Sequence, residues 1–307
     1  MALTDPRPAL GRAPGKLILV GEHAVVHGRP AVAVPFPPVG VVAEAIPVPG
    51  AVRVTSERSV GSLDALARTV EGALVAVGAV PANLSVHVQS TIPVGAGLGS
   101  SAATAVAVVR AAAGAFGQTL TPRLLRGLAH IAERAAHGRP SGLDVAAVLA
   151  DGPIRFLLGE EATPLASGFR PCWVVADSGR PRDTRSAVAA VSAWLSGAGE
   201  AGRDVLDGLA READVAERAL RDGDSPGLGA SLDRAHGALQ ALGVSDDGLD
   251  ALVATARGAG ALGAKLTGAG RGGCVVALAP DVRTAEAIAA AWRRGGVAGV
   301  YGEGARG

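Results

Sequence analysis

Residues 93 to 103, Pro-Val-Gly-Ala-Gly-Leu-Gly-Ser-Ser-Ala-Ala, constrain this chain more than any other stretch. Three glycines alternate with small or apolar residues, and two serines then open an apolar run over 102–113. Glycine has no Cβ, so the backbone can turn tightly there and point several N–H groups at one spot. The run after it predicts a buried helix, whose N-terminus adds unpaired N–H donors and a partial positive charge. Loop and helix end together form an anion site, most naturally for phosphate. The local charge agrees: no Asp or Glu occurs between Glu71 and Glu133, while Arg110, Arg123 and Arg126 are present. The loop lacks the Gly-Lys-Ser/Thr ending of a Walker A motif. It also lacks the third glycine and the acid of a dinucleotide fingerprint. Taken alone, it reads equally well as a plain glycine turn between a strand and a core helix.

The chain has 307 residues, 49% of them hydrophobic, which is ample for a core of one large domain or two ordinary ones. Aromatic residues are only 3%, so that core is built from Ala, Val and Leu. A formal net charge of +1 gives no support for a nucleic-acid or polybasic membrane surface. No signal peptide and no apolar run of membrane-spanning length is read in it. Cys172 and Cys274 lie far apart in strand-like runs, match no metal spacing and read as buried hydrophobes. A reducing, cytoplasmic compartment is the expectation.

Along the chain, the first eleven residues read as a poorly ordered lead-in. A buried strand follows over 17–20, with Lys16 before it and Gly21, Glu22 and His23 after it. Each polar group taken singly is an ordinary solvated strand boundary. Residues 39–46 and 51–55 predict a pair of strands. Residues 62–78 predict an amphipathic helix capped by Ser62. The alternating 84–89 segment predicts a half-buried strand with His87 on its polar face. Thr121-Pro122 starts another helix, running to about residue 136 and carrying Glu133 near its C-terminal end. A carboxylate there opposes the helix dipole, a local conflict of the kind that marks function. Ser141-Gly-Leu-Asp144 resembles a capping box, so Asp144 is either a helix cap or a carboxylate held ionised beside a phosphate site. The boundary between two halves falls near here, giving domains 1–155 and 156–307.

The second half predicts a strand over 172–176, helices near 184–196, 203–221, 226–242 and 246–258, and loops at 198–203 and 222–229. A short strand at 264–266, a second glycine turn over 267–273 and a strand over 274–278 follow. A helix at 282–294 and a strand near 297–301 finish the chain. This order suggests a split-βαβ, ferredoxin-like layer and an α/β (α+β) fold class.

Three segments together resemble the GHMP kinase family, named for galacto-, homoserine, mevalonate and phosphomevalonate kinases. They are Ala13-Pro-Gly-Lys-Leu-Ile-Leu-Val-Gly-Glu-His-Ala-Val-Val26, the 93–103 loop, and Lys265-Leu-Thr-Gly-Ala-Gly-Arg-Gly-Gly-Cys274. Within the family, Gly21 to Ala31 and the pair Glu133 and Asp144, eleven residues apart (144 − 133), are most similar to the mevalonate kinases. Two positions depart from that pattern. Val-Ala-Ala follows Asp144 where many mevalonate kinases carry Asn, and Arg271 replaces a glycine.

The resemblance implies an N-terminal ribosomal-S5-domain-2-like domain, a C-terminal ferredoxin-like domain and an active site in the cleft between halves. It implies phosphorylation of the primary hydroxyl of mevalonate, with ATP as co-substrate and Mg2+ as cofactor. Asp144 would accept the hydroxyl proton, and Lys16 would sit beside it. Ser101 and Glu133 would hold Mg2+. Pro93, Gly95, Ala96, Gly97, Leu98, Gly99, Ser100, Ser101, Gly268 and Gly270 would bind the ATP phosphates. Glu22, His23 and Thr184 would contact the acceptor. A homodimer is the family expectation. A phosphomevalonate kinase would need further cations for the second phosphate, for which Arg139, Arg182 and Arg185 stand in the sequence. A non-catalytic sensor on the same fold should have lost one of Lys16, Glu133 or Asp144, and all three are present.

Overall fold

The computed structural model describes residues 5–138, 140–180, 184–303 and 305, without the side chains of His137 and Arg185. Arg139 and Arg182, and the side chain of Arg185, therefore lie outside the described residues. The chain divides into two compact units. The first comprises residues 1–16, 39–94 and 99–149, and the second residues 17–38, 95–98 and 150–307. The chain passes between them within β1 (Ala9–Val20), within β2 (Ala31–Ala51), twice within the glycine loop and once more after residue 149.

In the first unit, β2 pairs antiparallel with β4 (Ala82–Ser90), and β3 (Arg53–Ser56) pairs parallel with β4 on its other side. The expected pairing of 39–46 with 51–55 is thus corrected: β4 lies between them. The reason is connectivity. Helix α1 (Leu63–Ala76) carries the chain from β3 over to β4, and such a crossover returns the next strand parallel to the first. Ser62 caps α1 by accepting from Ala65 N, as its sequence suggests. Helix α2 (Ser100–Ala115) is buried on nearly every side, in keeping with its unbroken Ala and Val run. Helix α3 (Pro122–His137) begins at Thr121, whose hydroxyl accepts from Leu124 N. The short α4 (Leu143–Leu149) follows.

Residues 9–11 belong to β1 rather than to a loose lead-in. Close contact with α2 recruits them: a Cβ on Gly11 would stand 2.0 Å from Ala107 O. Arg110 Nη1 also donates to Arg12 O at 2.6 Å. No local pattern announces this, because the contact is about a hundred residues away in sequence.

In the second unit, residues 31–33 of β2 pair with β5 (Ile154–Phe156), which pairs with β6 (Thr163–Pro164). A separate antiparallel sheet holds β7 (Cys172–Asp177), β8 (Gly263–Thr267), β9 (Cys274–Ala279) and β10 (Gly299–Gly302) in the order β10-β7-β9-β8. Helices α5 (Thr184–Asp222), α6 (Ser225–Ala241) and α7 (Asp247–Gly258) join β7 to β8, and α8 (Val282–Arg294) joins β9 to β10. This is the split-βαβ order expected from the strand and helix sequence. The loop expected at 198–203 is instead a single kink in α5: Gly199 takes φ 58°, ψ −121°, and helix resumes. Cys274 is fully buried and Cys172 half-buried, both as free thiols. No described helix is long and apolar enough to cross a membrane.

Candidate active site

The loop that opens α2 has the strained geometry its glycines allow. Gly95, Gly97 and Gly99 have φ of 70°, 88° and 79°. Gly99 is required twice over: besides that φ, a Cβ there would lie 2.7 Å from Lys16 Cγ. The first turn of α2 carries no acidic side chain of its own, and its N–H groups and dipole favour an anion at the loop.

Within the first unit, Lys16 runs along Gly99 and places Nζ 2.8 Å from Asp144 Oδ1. The ammonium is buried, at 1% exposure, while the Asp144 side chain is 37% exposed. Ser141 Oγ takes Leu143 N, and the carboxylate of Asp144 is turned to a cation. Glu133 is 2% exposed on α3. Burial and the neighbouring Asp144 push its carboxyl up to about 7, against the Ser101 hydroxyl bonded to it and the Lys16 charge. Its Oε1 is buried with no hydrogen-bond partner among the described residues. These groups fit a hard divalent cation. A buried, half-satisfied carboxylate with a hydroxyl beside it supplies oxygen donors, and Mg2+ takes few of them, leaving the rest of its shell to water and phosphate. No cluster of three or more His, Cys, Asp or Glu gathers among the described residues.

Within the second unit, the segment after β1 is a tight turn. Gly21 has φ 105°, and a Cβ there would lie 2.6 Å from Ala31 Cα. His23 has φ 61°, left-handed backbone that a non-glycine residue adopts at a cost. Its Nε2 donates to Ala269 O at 3.0 Å, since a carbonyl can only accept. Glu22, 2% exposed, pairs with Lys265, which is fully buried. Thr267 Oγ1 accepts from Ile18 N and donates to Ile18 O, both at 3.2 Å. The second glycine turn is held from two sides. Ser178 N donates to Gly273 O and Gly273 N to Arg180 O, while Arg271 N donates to Val244 O at 2.8 Å. Arg271 is exposed and keeps φ 56°. Gly268 and Gly270 have φ of 89° and 74°. Thr184 is the half-buried first residue of α5.

Thr267→Val tests that stitching. It leaves the buried Ile18 N–H without its acceptor, so the variant is expected to lose about 1–3 kcal/mol of stability, read as a lower midpoint in chemical denaturation.

Lys265 is the residue that sequence reasoning missed as a functional candidate. Its signal was present: a charged residue inside an otherwise apolar strand, Gly-Ala-Lys-Leu-Thr, every position of which is buried.

The family model for the GHMP kinases N terminal domain matches residues 62–152, and that for GHMP kinases C terminal matches residues 216–298. The mevalonate kinase of Aeropyrum pernix is 36% identical over 293 residues, covering 89% of each chain. The chain belongs to the GHMP kinase family. That of Thermococcus sibiricus is 34% identical over 308 residues, covering 91% of this chain and 92% of the relative. Among solved structures, the L. major mevalonate kinase in complex with R-mevalonate superposes with a TM-score of 0.84 at 26% identity, covering 95% of this chain and 93% of that one. The GHMP kinase fold is thereby established, and the chain is a kinase. Its glycine loop and the N-terminal part of α2 lie inside the matched N-terminal domain, as do Glu133 and Asp144.

Proposed function

We propose that this chain transfers the γ-phosphoryl group of ATP to the primary hydroxyl of mevalonate, giving 5-phosphomevalonate and ADP. The observation that carries the proposal is the buried Lys16 ammonium bonded to Asp144, beside Glu133 and Ser101 at the head of α2. Phosphoryl transfer asks for positioning and charge neutralisation more than for covalent chemistry, and this group supplies both.

In this reading, backbone N–H groups of residues 94–101 and the start of α2 cradle the ATP phosphates, and Gly268 and Gly270 shape the pocket. Asp144 accepts the acceptor's hydroxyl proton as the new O–P bond forms and the bond to ADP breaks. Lys16 holds Asp144 in place through its ion pair and offers its charge to the transferring group. Ser101 and Glu133 would hold Mg2+, which neutralises phosphate charge. Glu22, His23 and Thr184 face the acceptor. We place the reaction in the cytoplasm, with a homodimer as the assembly to test by light scattering.

Glu133→Gln probes the metal role. It keeps size and hydrogen bonding but removes the charge, so the Mg2+ concentration for half-maximal activity is expected to rise about tenfold or more. An unchanged Mg2+ requirement overturns the assignment.

The substrate reading is tested by ADP release with ATP and Mg2+ across mevalonate, phosphomevalonate, homoserine and galactose. Turnover on mevalonate alone is expected. Turnover on phosphomevalonate instead would move the acceptor while leaving the phosphate chemistry intact, and silence on all four would favour the sensor reading.

A further inference from the structure

Lys265, the ion-pair partner of Glu22, has no role in the chemistry described above. Both side chains are almost completely removed from water, and Lys265 sits in a strand buried along its whole length. An ion pair in such a place is a poor stabiliser, because desolvation of two charges offsets most of their attraction. A purely structural carboxylate would also have both oxygens satisfied. Here Lys265 Nζ donates to Oε1 of Glu22 and to Leu266 O, while Glu22 Oε2 is buried with no hydrogen-bond partner among the described residues. Three links run from β8 and its glycine turn to residues 18–23: Thr267 to Ile18, His23 to Ala269 O, and Lys265 to Glu22. The first two hold backbone or ring. The third alone holds a carboxylate and leaves one of its oxygens unused.

We infer that Lys265 is a positioning residue for the acceptor. It holds Glu22 fixed through Oε1, so that Oε2 is presented as a ready hydrogen-bond acceptor for a hydroxyl of the incoming alcohol. The inference rests on the acceptor-site reading above. Lys265 touches neither substrate and acts only through Glu22. Its loss therefore weakens capture of the alcohol and leaves the nucleotide side, which belongs to other residues, as it was.

The test is a cycle of Lys265→Met, Glu22→Gln and the double variant, with KM for acceptor and for ATP measured separately on whichever acceptor the wild type phosphorylates. Lys265→Met is expected to raise the acceptor KM about tenfold or more and to leave the ATP KM within about twofold. The double variant is expected to match Glu22→Gln, because residues acting as a unit are not additive. A Lys265→Met enzyme with wild-type acceptor KM overturns the inference, as does an equal rise in both KM values or an additive double variant. Lys265→Met leaves a buried carboxylate uncompensated and can fail to fold. The double variant removes both charges and remains readable: an acceptor KM well above that of Glu22→Gln, or equal to the wild type's, overturns the inference. If the wild type uses an acceptor other than mevalonate, the substrate reading fails on that wild-type result alone, and the cycle is judged on the acceptor it does use.

Discussion

Asp144→Asn is expected to lower kcat by about 10²- to 10⁴-fold, the range spanned by loss of a general base. The amide preserves the shape of the side chain and can still reach Lys16, which sits 2.8 Å away in the wild type. It cannot take up the proton released when the acceptor hydroxyl attacks phosphorus. Nucleotide affinity should be nearly unchanged, because the glycine loop and the start of α2 do not depend on this carboxylate. A rapid-mixing measurement of the transfer step, set beside ATP affinity by calorimetry, separates the two effects. Turnover within about fivefold of the wild type would remove Asp144 from the reaction and restore the simpler role of helix cap.

Lys16→Met has the second large effect, a fall in kcat of about 10²- to 10³-fold, comparable to removing one preorganised charge from a transition state. The reasoning runs through two neighbours. Lys16 is the cation bonded to Asp144, and its charge also opposes the burial that drives Glu133 toward protonation. Without it, Glu133 faces burial and the neighbouring Asp144 with one opposing charge removed, and its ionised form is further disfavoured. Methionine fills similar volume and can lie along Gly99 as the lysine stem does, so the fold should persist. The double variant Lys16→Met/Asp144→Asn should be little worse than the poorer single variant. Full additivity, measured as kcat under saturating ATP and acceptor, would mean that the two residues do not act together.

Much of the molecule was legible from residue order. Ser62 and Thr121 announce helices α1 and α3 through capping chemistry, and both hydroxyls accept the expected backbone N–H groups. The spacing of three glycines before an apolar run announced the loop, and each glycine takes the positive φ that only it adopts freely. Element type was readable where the cause is local. The pairing of β2 and β3 was not, because a strand's partner depends on where α1 returns the chain. Nor was the length of β1, whose first residues are strand only because α2 packs against them.

The site divides along the same line. Residue order marked Glu133 as a charge late in a helix and Lys16, Glu22 and His23 as polar groups bracketing a buried strand, while the family resemblance supplied the site roles of these residues and of Ser101 and Asp144. The marking is what the residue order determined by itself, since a charge beside a buried strand or late in a helix is a local anomaly. Which groups meet was decided by tertiary structure. The bond from Lys16 to Asp144 spans more than a hundred residues, and the one from Glu22 to Lys265 spans more than two hundred. An ion pair is a statement about distance in space, and burial decides whether it stabilises or merely positions. Neither quantity exists until the strands and helices that carry the two partners have packed.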